Sequence, residues 1–159
     1  MTCKIDTRCT AVLPFAECRA GRPAPLRRTI QLPVLGGTTV SQANVDLLRQ
    51  AYDAFARGDV GSVLGVMTDD VQFVVAENSM LYRGTPYVGK QEIGESVFGR
   101  VGAEWDGYWI DVEKLHDAGD IIVMQGRYRG TYKATGRTTD AQVVHIWTVR
   151  EGKLAKLEQ

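Results

Sequence analysis

The stretch DIIVMQGRYRGTYKATGRTTDAQVVHIWTVREGKLAKLEQ, residues 120–159, decides how this chain is read. Runs rich in β-branched and aromatic residues alternate with the short turn signals ATGR (134–137) and REGK (150–153). That rhythm predicts strands joined by tight turns, hence an antiparallel meander. YWIDVEKLH (108–116), set off by DAGD (117–120), adds one strand before it. Within TTDAQVVHIWTVR (138–150) a single imidazole, His145, stands among Val143, Val144, Ile146 and Trp147. Strand alternation puts Ala141, Val143, His145 and Trp147 on one face and Gln142, Val144, Ile146 and Thr148 on the other. Both sets are largely apolar, which predicts a central strand covered on both sides.

Working back toward the N-terminus, the period changes. Val45, Leu48, Tyr52 and Phe55 recur at helical spacing, with Ser41 or Asn44 as the cap and Gly58 as the stop. Asp59 is placed to cap a second, short helix that turns Val63, Leu64 and Met67 inward. DDVQFVVAE (69–77) reads as a strand, NSMLYRGTPYVG (78–89) as a loop, and Lys90 to Val101 as a third helix with Ile93, Val97 and Val101 on one face. Three helices and one strand followed by a long antiparallel sheet predict an α+β domain over residues 41–159. Residues 1–40 lack sustained periodicity and are interrupted by Pro14, Pro23, Pro25 and Pro33, which predicts a poorly ordered basic leader.

Charge sharpens that division. The 19 basic and 19 acidic side chains balance, but residues 1–42 hold six of the basic ones against Asp6 and Glu17. The remainder is therefore acidic, which argues against a nucleic-acid partner, because phosphate binding draws on basic clusters. Cys3, Cys9 and Cys18 all lie in the leader, so the body lacks a disulfide or a thiolate metal site and a reducing, cytoplasmic setting is expected. An export signal around LRRTIQLPVLGG (26–37) is the rival reading, weakened by Gln31, Pro33 and two glycines inside its apolar part. No run of about 18 apolar residues is present, so no membrane span is expected.

The helix, ARGDVGSVLGVMTDDVQF (56–73), the loop ending in GK, the third helix and the final GRYRGTYKATGR…AQVVHIWTVREGKL together resemble the nuclear transport factor 2-like superfamily. Within it the likeness is to the SnoaL-like polyketide cyclase and ketosteroid isomerase-like group, over about residues 43–159. The resemblance implies a cone-shaped α+β barrel: three N-terminal helices packed on a strongly curved, mainly antiparallel sheet around a deep apolar pocket, with a homodimer formed through the convex sheet face. It places His145 where ketosteroid isomerases carry a protonated aspartic acid that donates to an oxyanion, and related cyclases a histidine. His145 is thus the candidate catalytic residue, since imidazole can donate, accept or transfer a proton near neutrality.

Other positions depart from the isomerase pattern. The first-helix tyrosine falls on Ala51, one residue from Tyr52, and the general-base aspartate falls on Val75, so steroid isomerisation is not expected. The cyclases' acid/base carboxylate on the last strand aligns with Gln159, an amide that cannot transfer a proton in that way. Trp147, Trp109, Tyr128, Met124, Val143 and Tyr52 are the candidates for the substrate-binding wall, with Glu77, Asn78 and Gln159 as polar contacts near it. Ordinary core packing would account for several of the aromatic ones.

Three further motifs fail. GTPYVGKQ (84–91) approaches a phosphate-binding loop but has Gln91 in place of Ser/Thr, and Pro86 within the loop. His116 and His145 are the only histidines and sit on different strands, so no metal site and no cofactor is expected. No G-x-S-x-G elbow and no body cysteine supplies a covalent nucleophile. The expectation is a small-molecule enzyme performing acid/base isomerase, cyclase or hydratase-type chemistry on an apolar polyketide-like or cyclic carbonyl compound. Its alternative is a non-catalytic ligand-binding or protein-interaction homodimer of the same fold.

Overall fold

The computed structural model describes residues 40–159; the leader expected over residues 1–40 lies, but for Val40, outside the described residues. Helix α1 (Val40–Ala56) opens this part. Its three- and four-residue spacing buries Val45, Leu48, Ala51 and Ala54, and full burial of a side chain such as Leu48 contributes roughly 2 kcal/mol. Ser41 and Asn44 lie inside the helix rather than capping it. Their side chains instead reach across to residues 117–119: Ser41 Oγ donates to the Asp117 carboxylate and Asn44 Nδ2 to the Gly119 carbonyl at 3.1 Å. Gly58 ends the helix in the left-handed region at φ 74°. Asp59 then caps α2 (Val60–Gly65), accepting from the Ser62 amide at 3.0 Å.

Strand β1 (Met67–Val74) follows, and after a loop comes the two-residue β2 (Tyr87–Val88). The third helical segment is continuous but not uniform. A turn of α-helix, α3 (Lys90–Ile93), runs into a π-helical stretch (Gly94–Gly99) and returns to α-helix in α4 (Arg100–Glu104). In the middle stretch the hydrogen bonds span five residues instead of four, which widens the helix. A Cβ at Gly94 would stand 3.2 Å from Leu64 Cδ1, so the absent side chain lets this helix approach α2.

Four long strands complete the chain: β3 (Trp105–Ala118), β4 (Ile121–Tyr132), β5 (Arg137–Arg150) and β6 (Lys153–Glu158). They pair antiparallel in sequence, as the turn signals predict. β6 then lies parallel to β1, giving a mixed six-stranded sheet in the order β2-β1-β6-β5-β4-β3.

Here the fold departs from the expected cone-shaped α+β barrel. β2 and β3 are the free edges and no ladder joins them, so the sheet is open, neither closed into a barrel nor strongly curved. Closure needs two edges long enough to pair, and β2 offers two residues. The β4–β5 ladder at the centre of the sheet runs unbroken from Ile121↔Thr148 to Tyr132↔Arg137, while register irregularities fall in the β1–β6, β3–β4 and β5–β6 pairings. The architecture is therefore α+β, three helical segments against one face of an open mixed sheet. The core lies between them, where Leu48, Val71, Ile93, Ile122 and Leu154 are fully buried. The other face leaves Trp109, Ile121, Val144 and Ile146 exposed. No helix among the described residues is long and apolar enough to cross a membrane.

Candidate active site

Between the helices and the sheet a cavity of about 70 Å³, measured as the space open to the centres of water-sized spheres, is bounded almost wholly by apolar side chains. Leu48, Ala51 and Phe55 come from α1, Val97, Phe98 and Val101 from the third helical segment, and Phe73, Ile110 and Leu157 from the sheet. Its polar groups are few: Tyr52, Tyr108, Tyr128, His145, Trp147 and Gln159.

All but one of these form a single network around His145, which is 2% exposed. The Tyr52 hydroxyl lies 2.7 Å from Nδ1 and the Tyr128 hydroxyl 2.5 Å from Nε2. Trp147 Nε1 donates to the Tyr52 oxygen at 2.9 Å, and Gln159 Nε2 donates to the Tyr128 oxygen at 2.6 Å. The orientation of the Gln159 amide is set from behind, because its Oε1 accepts from the Ala76 amide at 3.4 Å. Tyr108 stands apart: its ring packs 5.6 Å from that of Tyr128, and its hydroxyl has no hydrogen-bond partner among the described residues.

The sequence explains how these groups meet. Trp147 and His145 are two apart on β5, so both point into the helix-facing side of the sheet, and Tyr128 projects from the adjacent strand β4 on the same side. Tyr52 sits one turn after Leu48 on the buried stripe of α1. Burial dominates the electrostatics. It pulls the His145 imidazole down to about 3, so the ring is neutral at physiological pH. It pushes the Tyr52, Tyr128 and Tyr108 hydroxyls well above the usual tyrosine range. The cavity wall thus carries no charge, and its hydrogen bonds act in a medium of low dielectric.

Of the candidates read from sequence, His145, Trp147, Tyr128, Tyr52 and Gln159 come together here. The others do not line the cavity. Met124 is buried in the core beside His145 on the neighbouring strand, and Val143 sits two residues further along β5. Glu77 and Asn78 are exposed in the loop after β1. Trp109 is 45% exposed on the outer face, paired with Arg129. The residues that line the wall from β3 are its neighbours Tyr108 and Ile110. The signal was present, because Asp111 and Glu113 share the phase of Trp109 while Ile110 and Val112 share that of Tyr108. Phe55, read from sequence only as part of the helix's apolar stripe, and Phe98 and Leu81 also line the cavity and were not among the site candidates. No group of three or more His, Cys, Asp and Glu side chains is placed to hold a metal among the described residues.

The sequence profile of the SnoaL-like domain matches residues 48–157, most of the described chain. The chain belongs to the SnoaL-like family. No curated protein matches this SnoaL-like chain, but many solved structures do. An NTF2-like protein from Burkholderia thailandensis E264 is 33% identical, with a TM-score of 0.69 over 73% of this chain and 88% of its own. TerC, co-crystallised with polyporic acid, is 26% identical with a TM-score of 0.64 over 73% and 88%. A putative polyketide cyclase from Xanthomonas campestris pv. campestris, 20% identical with a TM-score of 0.65 over 76% and 90%, shares the fold. The SnoaL-like domain is thus one of the NTF2-like superfamily.

Proposed function

We propose that this protein is a small-molecule enzyme that binds a neutral, ring-bearing carbonyl compound in its apolar cavity and assists an isomerase, cyclase or hydratase-type step. The observation that carries this reading is the placement of His145 between two tyrosine hydroxyls on an otherwise apolar wall. Both ring nitrogens are engaged, so the group that meets a ligand oxygen is a tyrosine hydroxyl. His145 is then a positioning residue that orients and polarises it. A hydroxyl that donates to a carbonyl gains strength as charge develops on that oxygen in the transition state. The co-crystallisation of TerC with polyporic acid supports a small organic ligand by analogy.

The outer sheet face supports a homodimer, since Trp109, Val144 and Ile146 expose apolar surface beside the Arg127–Asp140 ion pair. A second reading, ligand binding without catalysis, is favoured by one specific observation: no carboxylate lines the cavity and the imidazole is held neutral, so no strong base faces a ligand.

The deciding experiment compares turnover of cyclisable poly-β-ketone and cyclic enone substrates by the wild type and by Tyr52→Phe and Tyr128→Phe. Catalysis predicts a kcat reduced by about tenfold to a hundredfold in at least one variant, beyond any rise in KM. Ligand binding with no turnover of any substrate would leave the binding-module reading standing and remove the enzymatic one.

A further inference from the structure

The hydrogen-bond network has fixed arithmetic. A neutral imidazole has one N–H donor and one bare nitrogen acceptor. Of Tyr52 and Tyr128, therefore, one donates to the ring and the other accepts from it. Each tyrosine oxygen already accepts from a second neighbour that can only donate in this setting. For Tyr52 this is the Trp147 indole; for Tyr128 it is the Gln159 amide, whose orientation the Ala76 amide fixes.

The tyrosine that accepts from the ring has both lone pairs filled and its own O–H uncommitted. The tyrosine that donates to the ring has one lone pair uncommitted and no hydrogen to give. Both line the cavity. The wall therefore offers a ligand one donor and one acceptor, and changing the tautomer of His145 exchanges the two roles.

We infer that the cavity selects a neutral ligand that carries both a carbonyl oxygen and a hydroxyl group on an apolar frame, one held by each tyrosine, with the His145 tautomer setting the orientation. This rests on the reading of the cavity as a small-molecule site. In a ligand whose two groups are conjugated, the same chain can move one proton across the molecule. The ligand hydroxyl gives its proton to the acceptor tyrosine, which passes its own to the bare ring nitrogen. The other ring nitrogen gives its proton to the second tyrosine, whose hydroxyl proton goes to the carbonyl. One ligand O–H bond breaks and another forms, the π electrons shift between the two oxygens, and the imidazole ends in the other tautomer. No charge separates at any point, which matters where burial penalises ions.

The test uses the full chain and four probes near pH 6: 4-hydroxybenzophenone, with both groups; 4-methoxybenzophenone and benzophenone, with the carbonyl alone; and 4-benzylphenol, with the hydroxyl alone. Calorimetric titration should find the first about tenfold tighter than each of the others, the worth of one added hydrogen bond. In Tyr52→Phe the preference over 4-methoxybenzophenone should fall to about one.

Equal binding of all four probes would overturn the donor-and-acceptor inference while leaving the cavity as a ligand site. Failure of all four to bind would overturn the site reading itself. Independently of any variant, ¹⁵N NMR of wild-type His145 should show one protonated and one bare ring nitrogen, free and bound. An imidazolium in either state would refute the count on which the inference stands.

Discussion

Protonation of His145 is a perturbation whose cost follows from its burial. The ring is pulled from 6.5 to about 3 in the folded protein because the charged form is desolvated. The unfolded chain therefore takes up this proton first. The stability contributed by the neutral ring is fully present above the unfolded value and is lost as pH falls toward the folded one, by about 1.4 kcal/mol per pH unit. Between about pH 7.5 and about pH 5 the loss amounts to about 2 kcal/mol.

That window is nearly free of other contributions. The carboxyls held low by their partners, among them Asp59, Asp69, Asp70, Glu92, Asp117 and Asp140, lose their contribution at more acidic pH. Urea unfolding followed by circular dichroism at the two pH values should give the 2 kcal/mol difference as a shifted midpoint with unchanged slope (~2 kcal/mol). In His145→Gln the shift should largely vanish, and in the wild type the His145 ring proton should not titrate above about pH 4 by NMR. A wild-type midpoint that stays put, or a His145 resonance that titrates near 6.5, would refute the claim that the ring is buried and neutral.

Four further outcomes are expected. Tyr52→Phe leaves the Trp147 indole N–H and one His145 nitrogen unpaired in a buried setting, which should cost about 2–4 kcal/mol by chemical denaturation; a cost below about 0.5 kcal/mol would mean that water replaces the hydroxyl without penalty. Gly126→Ala should destabilise by more than about 3 kcal/mol, because its Cβ would stand 2.2 Å from the Asp111 carbonyl oxygen. Gly102→Ala, where a Cβ meets nothing within 4 Å in α4, should be neutral or stabilising by the same chemical denaturation. Ile146→Asp should turn a dimer into a monomer in sedimentation velocity with an unchanged far-ultraviolet spectrum, whereas an unaltered sedimentation coefficient would remove the outer face as the contact.

Much of the fold was legible because its signals are local. The turns around Gly119, Gly136 and Gly152 set the β3–β6 meander, and the alternation around His145 gave the inward phase of β5. Less legible were features set by distant pairing. The parallel contact of β6 with β1 and the brevity of β2 depend on how remote segments meet, and they decide that the sheet stays open. The same limit applied to the site. His145 and Tyr52 were each visible, but that one would hold the other from 93 positions away in the chain depends on how α1 packs on the sheet. The family pattern left the imidazole without a carboxylate partner, since Val75 and Gln159 stand at the carboxylate positions, and the two tyrosine hydroxyls that hold the ring come from other elements.

The π-helical stretch at Gly94–Gly99 has a consequence for how this cavity can be reshaped. An ordinary insertion in a helix rotates every later side chain by about 100°, whereas a widened turn absorbs the extra residue locally. Val97 and Phe98 lie in the widened part and Val101 just after it, all three on the cavity wall. Chain length within six residues therefore becomes a variable that can be edited separately from residue identity. Removing one residue there should let the segment relax to a regular helix, keep Val101 facing inward and withdraw one wall side chain. Related sequences differing only by that single residue would share a scaffold and hold differently contoured ligands.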